Sequence, residues 1–152
     1  MAIRNVVAEG DPILYKKCKA VENFDNRLWN IIDDISDTMI HLKCIGLAAP
    51  HVGILKRIVT VNIDNNITEL INPEIIDSQG SQEGEEGSIS CLGQVVTIIR
   101  PKIVKIKAQN RFGKNIEIFG EGLKARVLCH EIDQTNGIFF KSKAISANTF
   151  RK

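Results

Sequence analysis

The chain contains no apolar run that approaches a membrane span, and its first residues lack the charged-then-apolar order of a secretory leader. Both absences predict a cytoplasmic protein with no membrane partner. Charge of one sign is scarce as well. The formal net charge is only +2 and is spread along the chain, so nothing warrants a nucleic-acid partner. Lys102, Lys105 and Lys107 fall in a strand-like stretch and read as a solvated strand face. Cys18, Cys44, Cys91 and Cys129 form no CxxC pair, which points to individual reduced thiols. No internal repeat and no linker divides the 152 residues, a length that fits one domain, 1–152, with a buried core. A monomer is the expected state.

What is present is clearly punctuated. Glu9-Gly10-Asp11-Pro12 is a turn signal, and Ile13-Leu14-Tyr15 reads as extended. Asp25 is a good N-cap. Leu28, Ile31, Ile32, Ile35, Met39 and Leu42 then recur at helical spacing, predicting a helix to about residue 42 whose apolar stripe is core. From Cys44 to Gly53 small residues are packed densely, as suits a backbone that something else approaches closely. Strands are predicted at 57–62 and 69–71, the second ended by Asn72-Pro73. Residues 78–87 read as a polar, Gly-rich loop, and the β-branched run from Val95 to Ile99 as buried. A strand over 102–109 puts Val104, Ile106 and Ala108 on one face, turns at Asn110–Gly113, and returns through Ile116 and Ile118. The last helix spans 121–136, Gly137 takes the left-handed position after it, and Ile138–Phe140 reads as a short strand. Many strands and two main helices make an α+β chain.

The last helix carries the chemistry. Its stretch His130-Glu131-Ile132-Asp133-Gln134 is one residue short of the H-E-x-x-H zinc helix. His130 and Gln134 lie on one helical face, so both could point at a common ion. In the intact motif two imidazoles hold the metal and the Glu is the general base. Here one imidazole is a carboxamide, a neutral oxygen donor and a poor ligand for first-row metals.

Three stretches together resemble the peptide deformylase family over nearly the whole chain. Gly46-Leu47-Ala48-Ala49-Pro50-His51 looks like its G-x-G-x-A-A-P-Q motif, Glu86-Gly87-Ser88-Ile89-Ser90 like E-G-C-x-S, and His130 to Gln134 like H-E-x-D-H. Order, spacing and flanks agree, the flanks being Gly10-Asp11-Pro12, Arg100-Pro101 and Gly122-Leu123. The resemblance implies antiparallel or mixed sheets around a central helix. It also implies one divalent ion, Fe(II), Zn(II) or Ni(II), and formylated N-terminal Met ends of nascent chains as partner. Glu131 stands at the general base, and the amide of Ile89 at an oxyanion donor. His51 stands where the family has a Gln that helps bind the transition-state oxygen. Gly46, Leu47 and Ile89 fall on the substrate pocket. Cys44 replaces the first motif's first Gly.

The departures concern the metal. Of the three family ligands only His130 remains; Ser88 replaces the Cys and Gln134 the second His. A complete protein metal site is worth on the order of 10–16 kcal/mol, so losing a thiolate and an imidazole costs many decades of affinity. The favoured expectation is therefore a pocket protein with a degenerate site (Ser88, His130, Gln134), little or no turnover, and a metal held weakly or not at all. The alternative is an active metal-dependent deformylase whose site is rebuilt from His130 and His51 with Glu131 as base. In that comparison His51 is expected to donate a hydrogen bond as the Gln does. Cys91, an odd number of residues past Ser88, is expected on the opposite face of a strand, and Cys129, about 100° from His130 on the helix, in the core. Glu86 and Arg100 are expected to pair, and Asp133 to orient a neighbouring basic group.

Overall fold

A computed structural model describes residues 2–145. Helix α1 (Asn26–His41) begins where its cap predicts, with the Asp25 carboxylate accepting from the Leu28 amide, and turns Leu28, Ile32, Ile35 and Met39 inward. Seven strands follow: β1 (Gly46–Ala48), β2 (Ile58–Ile63), β3 (Asn66–Gln79), β4 (Gln82–Glu86), β5 (Val96–Arg100), β6 (Ile103–Gln109) and β7 (Asn115–Glu121). Five of them form an antiparallel sheet in the order β1-β2-β3-β6-β7, and β4 and β5 form a separate antiparallel ribbon. Helix α2 (Leu123–Thr135) lies against the sheet through Ala125, Leu128, Cys129 and Ile132, which meet Val59, Leu70, Val104 and Ile106. Helix α1 packs with Leu47, Ile58 and Ile71 in a second cluster, and Leu14, Cys91, Val96, Ile98, Phe139 and Phe140 make a third. At about 1.5–3 kcal/mol per fully buried large aliphatic or aromatic side chain, these clusters fix how α2 sits among its neighbours. No helix among the described residues is long and apolar enough to cross a membrane.

Several local expectations change for physical reasons. Ile13–Tyr15 is not extended: Pro12–Tyr15 is a 3-10 turn, started by Pro12 and capped by the Asp11 carboxylate accepting from the Ile13 amide. Asn72-Pro73 does not end its strand, because β3 runs on through an irregularity between Ile71 and Glu74. There Asn72 adopts a left-handed φ of 53°, and its amide accepts from the Val21 N–H and donates to the Val21 carbonyl and to Gln109. The bulge absorbs a proline that has no N–H to give. The polar loop over 78–87 is largely strand, since β4 pairs by backbone with β5 and its inward positions take Gly84 and Glu86 rather than apolar residues. Instead of a strand, Phe140–Lys143 form a 3-10 turn after Phe139 and Phe140 have been buried edge to face.

Candidate active site

Two close approaches bring α2 to its place. An added Cβ at Gly46 would lie 2.8 Å from Val127 Cγ1 and 3.0 Å from Glu131 Oε2, so only glycine lets β1 pass that close to the helix. At the far end Gly137 has a φ of 75° and sits against the Tyr15 carbonyl. The helix therefore carries His130 and Glu131 to the floor of a cavity of about 450 Å³, beside β1 and the segment joining β4 to β5.

Glu86, the last residue of β4, organises that floor. Its carboxylate accepts from Arg100 Nε and Nη2 at 3.0 and 2.9 Å, from Arg126 Nη1 at 2.6 Å and from His130 Nδ1 at 2.9 Å. Arg100 reaches on to Asp133 at 2.6 Å, and Lys143 meets the same Asp133 oxygen at 2.9 Å. Thus the expected Glu86–Arg100 pair forms, and Asp133 holds basic groups. Burial opposes a charged Glu86, but the hydrogen bonds and charges of His130 and Arg100 outweigh it and push its pKa down to about 2. An ionised carboxylate only accepts, so His130 Nδ1 carries a proton and Nε2 is the nitrogen left to face the cavity.

His51 reaches the same floor from the 3-10 turn Ala49–Val52 that follows β1. Its ring is buried, with Nδ1 2.8 Å from Ser90 Oγ and Nε2 3.5 Å from Glu131 Oε1. That second separation is an electrostatic approach, not a formed bond, and Glu131 Oε1 is buried with no hydrogen-bond partner. Burial disfavours ionisation of Glu131, yet the imidazoles of His130 and His51 outweigh it and hold the carboxyl below its ordinary range. Burial likewise disfavours an imidazolium at His130, and the carboxylates of Glu131 and Glu86 reverse the balance upward. Ligand atoms of His51, His130 and Glu131 all lie within 4.8 Å of one another. His51 and His130 offer two imidazoles to a divalent ion, and the orphaned Glu131 oxygen beside them is a buried acceptor placed for a proton of a water such an ion would hold. These residues fit a divalent metal.

The two substituted ligand positions are engaged elsewhere. Ser88 lines the cavity, but its Oγ accepts from the Ser90 N–H at 3.2 Å. Gln134 is buried and donates from Nε2 to the Leu14 carbonyl at 2.7 Å. Gly46 and Ile89 line the cavity, whereas Leu47 turns into the α1 cluster, because successive strand residues face opposite ways. Cys91 is not on the far side of a strand: residues 88–91 form a turn, with the Cys91 N–H donating to the Ser88 carbonyl at 3.1 Å, and the residue borders the cavity while being buried in the third cluster. Burial above all pushes its thiol up to about 11, and that of Cys129, in the core, likewise. Arg126, Lys143 and the Leu14 carbonyl escaped the sequence reading, and Ser90, present there as the last residue of the second motif, was given no contact with His51. Only Arg126 had a local signal, as a charged residue one turn before His130 on the same helical face.

The sequence pattern of the polypeptide deformylase family matches residues 3–149. The chain is 47% identical over 145 residues to a peptide deformylase of Alkaliphilus metalliredigens, covering 95% of this chain and 99% of that protein. Crystal structures of peptide deformylases from Legionella pneumophila and Thermotoga maritima superpose with TM-scores of 0.90 and 0.92 at 42% and 36% identity. They cover 93% and 95% of this chain, and 86% and 99% of their own. Pattern, identity and architecture agree over nearly the full length: the chain belongs to the polypeptide deformylase family.

Proposed function

We propose that the chain hydrolyses the N-formyl group from peptides beginning with formyl-methionine, at a divalent-metal site in which His51 stands beside His130 and Glu131 is the general base. One observation carries this reading: His51, His130 and Glu131 converge with a buried, unpartnered carboxylate oxygen among them. Relatives named peptide deformylase at up to 47% identity weigh the same way. Together they favour the working site over the silent pocket that Ser88 and Gln134 alone suggest.

When bound, a divalent ion supplies a water acidified to a pKa of roughly 7 and a Lewis acid for the formyl oxygen. Fe(II), Zn(II) and Ni(II) are the candidates. The chain's own residues do the rest. Glu86 fixes the His130 ring so that Nε2 faces the cavity, an outer contact that preserves ligand aim. Glu131, held ionised, takes the nucleophile's proton and returns it to the leaving amine. Ile89, on the cavity wall, offers its amide to the developing oxyanion. Leu123 and Val127 give the cavity apolar wall against which a methionine side chain is desolvated. Cytoplasmic nascent chains are the proposed partner.

A second reading, a pocket that binds such ends without turnover, draws on the engagement of Ser88 by Ser90 and of Gln134 by Leu14. Metal content separates the two. Protein purified anaerobically from iron- or zinc-supplemented cells should carry stoichiometric metal that His51→Ala loses. Metal-free wild type, or a His51→Ala variant that keeps its metal, would sink the proposed site.

A further inference from the structure

Ser90 lies behind His51, away from the cavity, and is itself buried. Its hydroxyl is the only hydrogen-bonding group within 2.8 Å of His51 Nδ1 among the described contacts. A hydroxyl can donate or accept, unlike the carboxylate that holds His130. The two rings at the site are therefore held differently: His130 can only donate from Nδ1 to Glu86, whereas His51 Nδ1 can donate to Ser90 or accept from it.

Without a cation, a lone pair on His51 Nε2 would face the unpartnered Glu131 Oε1 across 3.5 Å in a buried setting, two acceptors opposed. The opposite tautomer turns an N–H toward that oxygen and requires Ser90 to donate to Nδ1. With a cation, Nε2 must surrender that proton, and Nδ1 must carry one. We propose that Ser90 is the positioning residue that supports both tautomers of His51, donating to Nδ1 without a cation and accepting from it with one, so that cation binding reverses the Ser90–His51 hydrogen bond. The proton balance closes within the ring: Nε2 loses a proton, Nδ1 gains one, and the hydroxyl rotates from donor to acceptor. This rests on the proposed metal reading and extends it to a residue that touches neither substrate nor metal.

The backbone is arranged to keep this pair in register whatever the hydroxyl does. The Val7 N–H donates to the His51 carbonyl and the Glu9 N–H to the Ser90 carbonyl, both at 2.8 Å, so alternate residues of one segment hold both partners. Ser88, the residue in the lost thiolate position, supports the Ser90 N–H. Removing the Ser90 hydroxyl thus deletes one side-chain contact and leaves the strap intact.

The test uses histidine-labelled full-length protein at pH 8.5, with ring-nitrogen NMR in the chelator-treated state and with Zn(II). Chelated wild type should show His51 protonated at Nε2; zinc-saturated protein should show it protonated at Nδ1 with Nε2 shifted by the metal. Ser90→Ala should keep the first state and weaken zinc binding about 10- to 100-fold, as loss of an outer contact does, whereas Ser90→Thr should stay near wild type. Zinc shifts at His130 with His51 unmoved would overturn the inference while leaving a metal at the site. So would an imidazolium in both states, or unchanged zinc affinity in Ser90→Ala. Failure of wild type to bind zinc at all would overturn the inference and the proposed function together.

Discussion

Replacing Glu86 by Gln tests the charge network beneath the site in isolation from the chemistry above it. Glutamine keeps the shape and one acceptor oxygen but removes the charge that faces Arg100, Arg126 and His130 at 2.6 to 3.0 Å. The magnitude follows from linkage. A carboxyl with an ordinary pKa of 4.5 and a folded value of about 2 contributes about 3 kcal/mol, at 1.36 kcal/mol per unit. Arg100's raised pKa is the other side of the same interaction and adds nothing further. Breaking a buried pair from one side costs about 3–5 kcal/mol, in line with that figure. The sign is that of a depressed acid. The unfolded chain binds the extra proton, so the contribution is complete above pH 4.5 and disappears as pH falls toward 2. Urea unfolding at pH 7 should therefore show Glu86→Gln destabilised by about 3 kcal/mol, a fall of about 6–12 °C in Tm for a chain of this size. The gap between variant and wild type should close as the pH is lowered through that window. A variant within 0.5 kcal/mol of wild type at pH 7, or parallel pH profiles, would refute the reasoning.

Other perturbations have equally definite outcomes. Gly46→Ala places a methyl 2.8 Å from Val127 and 3.0 Å from Glu131, so we expect a loss of about 1–3 kcal/mol in thermal unfolding and a fall in turnover as Glu131 is displaced. Asn72→Ala removes hydrogen bonds of 2.8, 3.0 and 2.7 Å and strains a φ of 53°, and should cost about 2–4 kcal/mol in urea. The double change Ser88→Cys/Gln134→His returns a thiolate and an imidazole and should tighten zinc at least about a hundredfold, ~3 kcal/mol, in a chelator competition.

Much of the fold was legible because it rests on local pattern. The Asp25 cap and the stripe from Leu28 to Met39 locate α1, and the alternation of Val104, Ile106 and Ala108 locates β6 and its hairpin partner. Elements set by side-chain partners from afar were not. β4 is a strand whose inward residues are Gly84 and Glu86, legible only once Arg126 and Arg100 are known to face them. Asn72 continues a strand that Pro73 should end because its own side-chain amide bonds to the backbone of Val21, far back in the chain, in place of missing ladder bonds. At the site, motif spacing was enough to place His130, Glu131, Ile89 and Gly46 around one cavity. It could not give the direction of a side chain. Leu47 turns away, Cys91 sits in a turn between the cavity and the third cluster, and the approach of His51 to Glu131 depends on a turn geometry that no periodicity encodes.

The most direct test of the central claim is turnover of a formyl-methionyl peptide by the anaerobically iron-loaded protein, with His51→Ala and the Ser88→Cys/Gln134→His double variant beside it. We predict formate release by the natural chain, abolished in His51→Ala and raised in the double variant. A silent natural chain beside an active double variant would contradict a working site built on His51 and leave an intact pocket whose metal centre no longer functions.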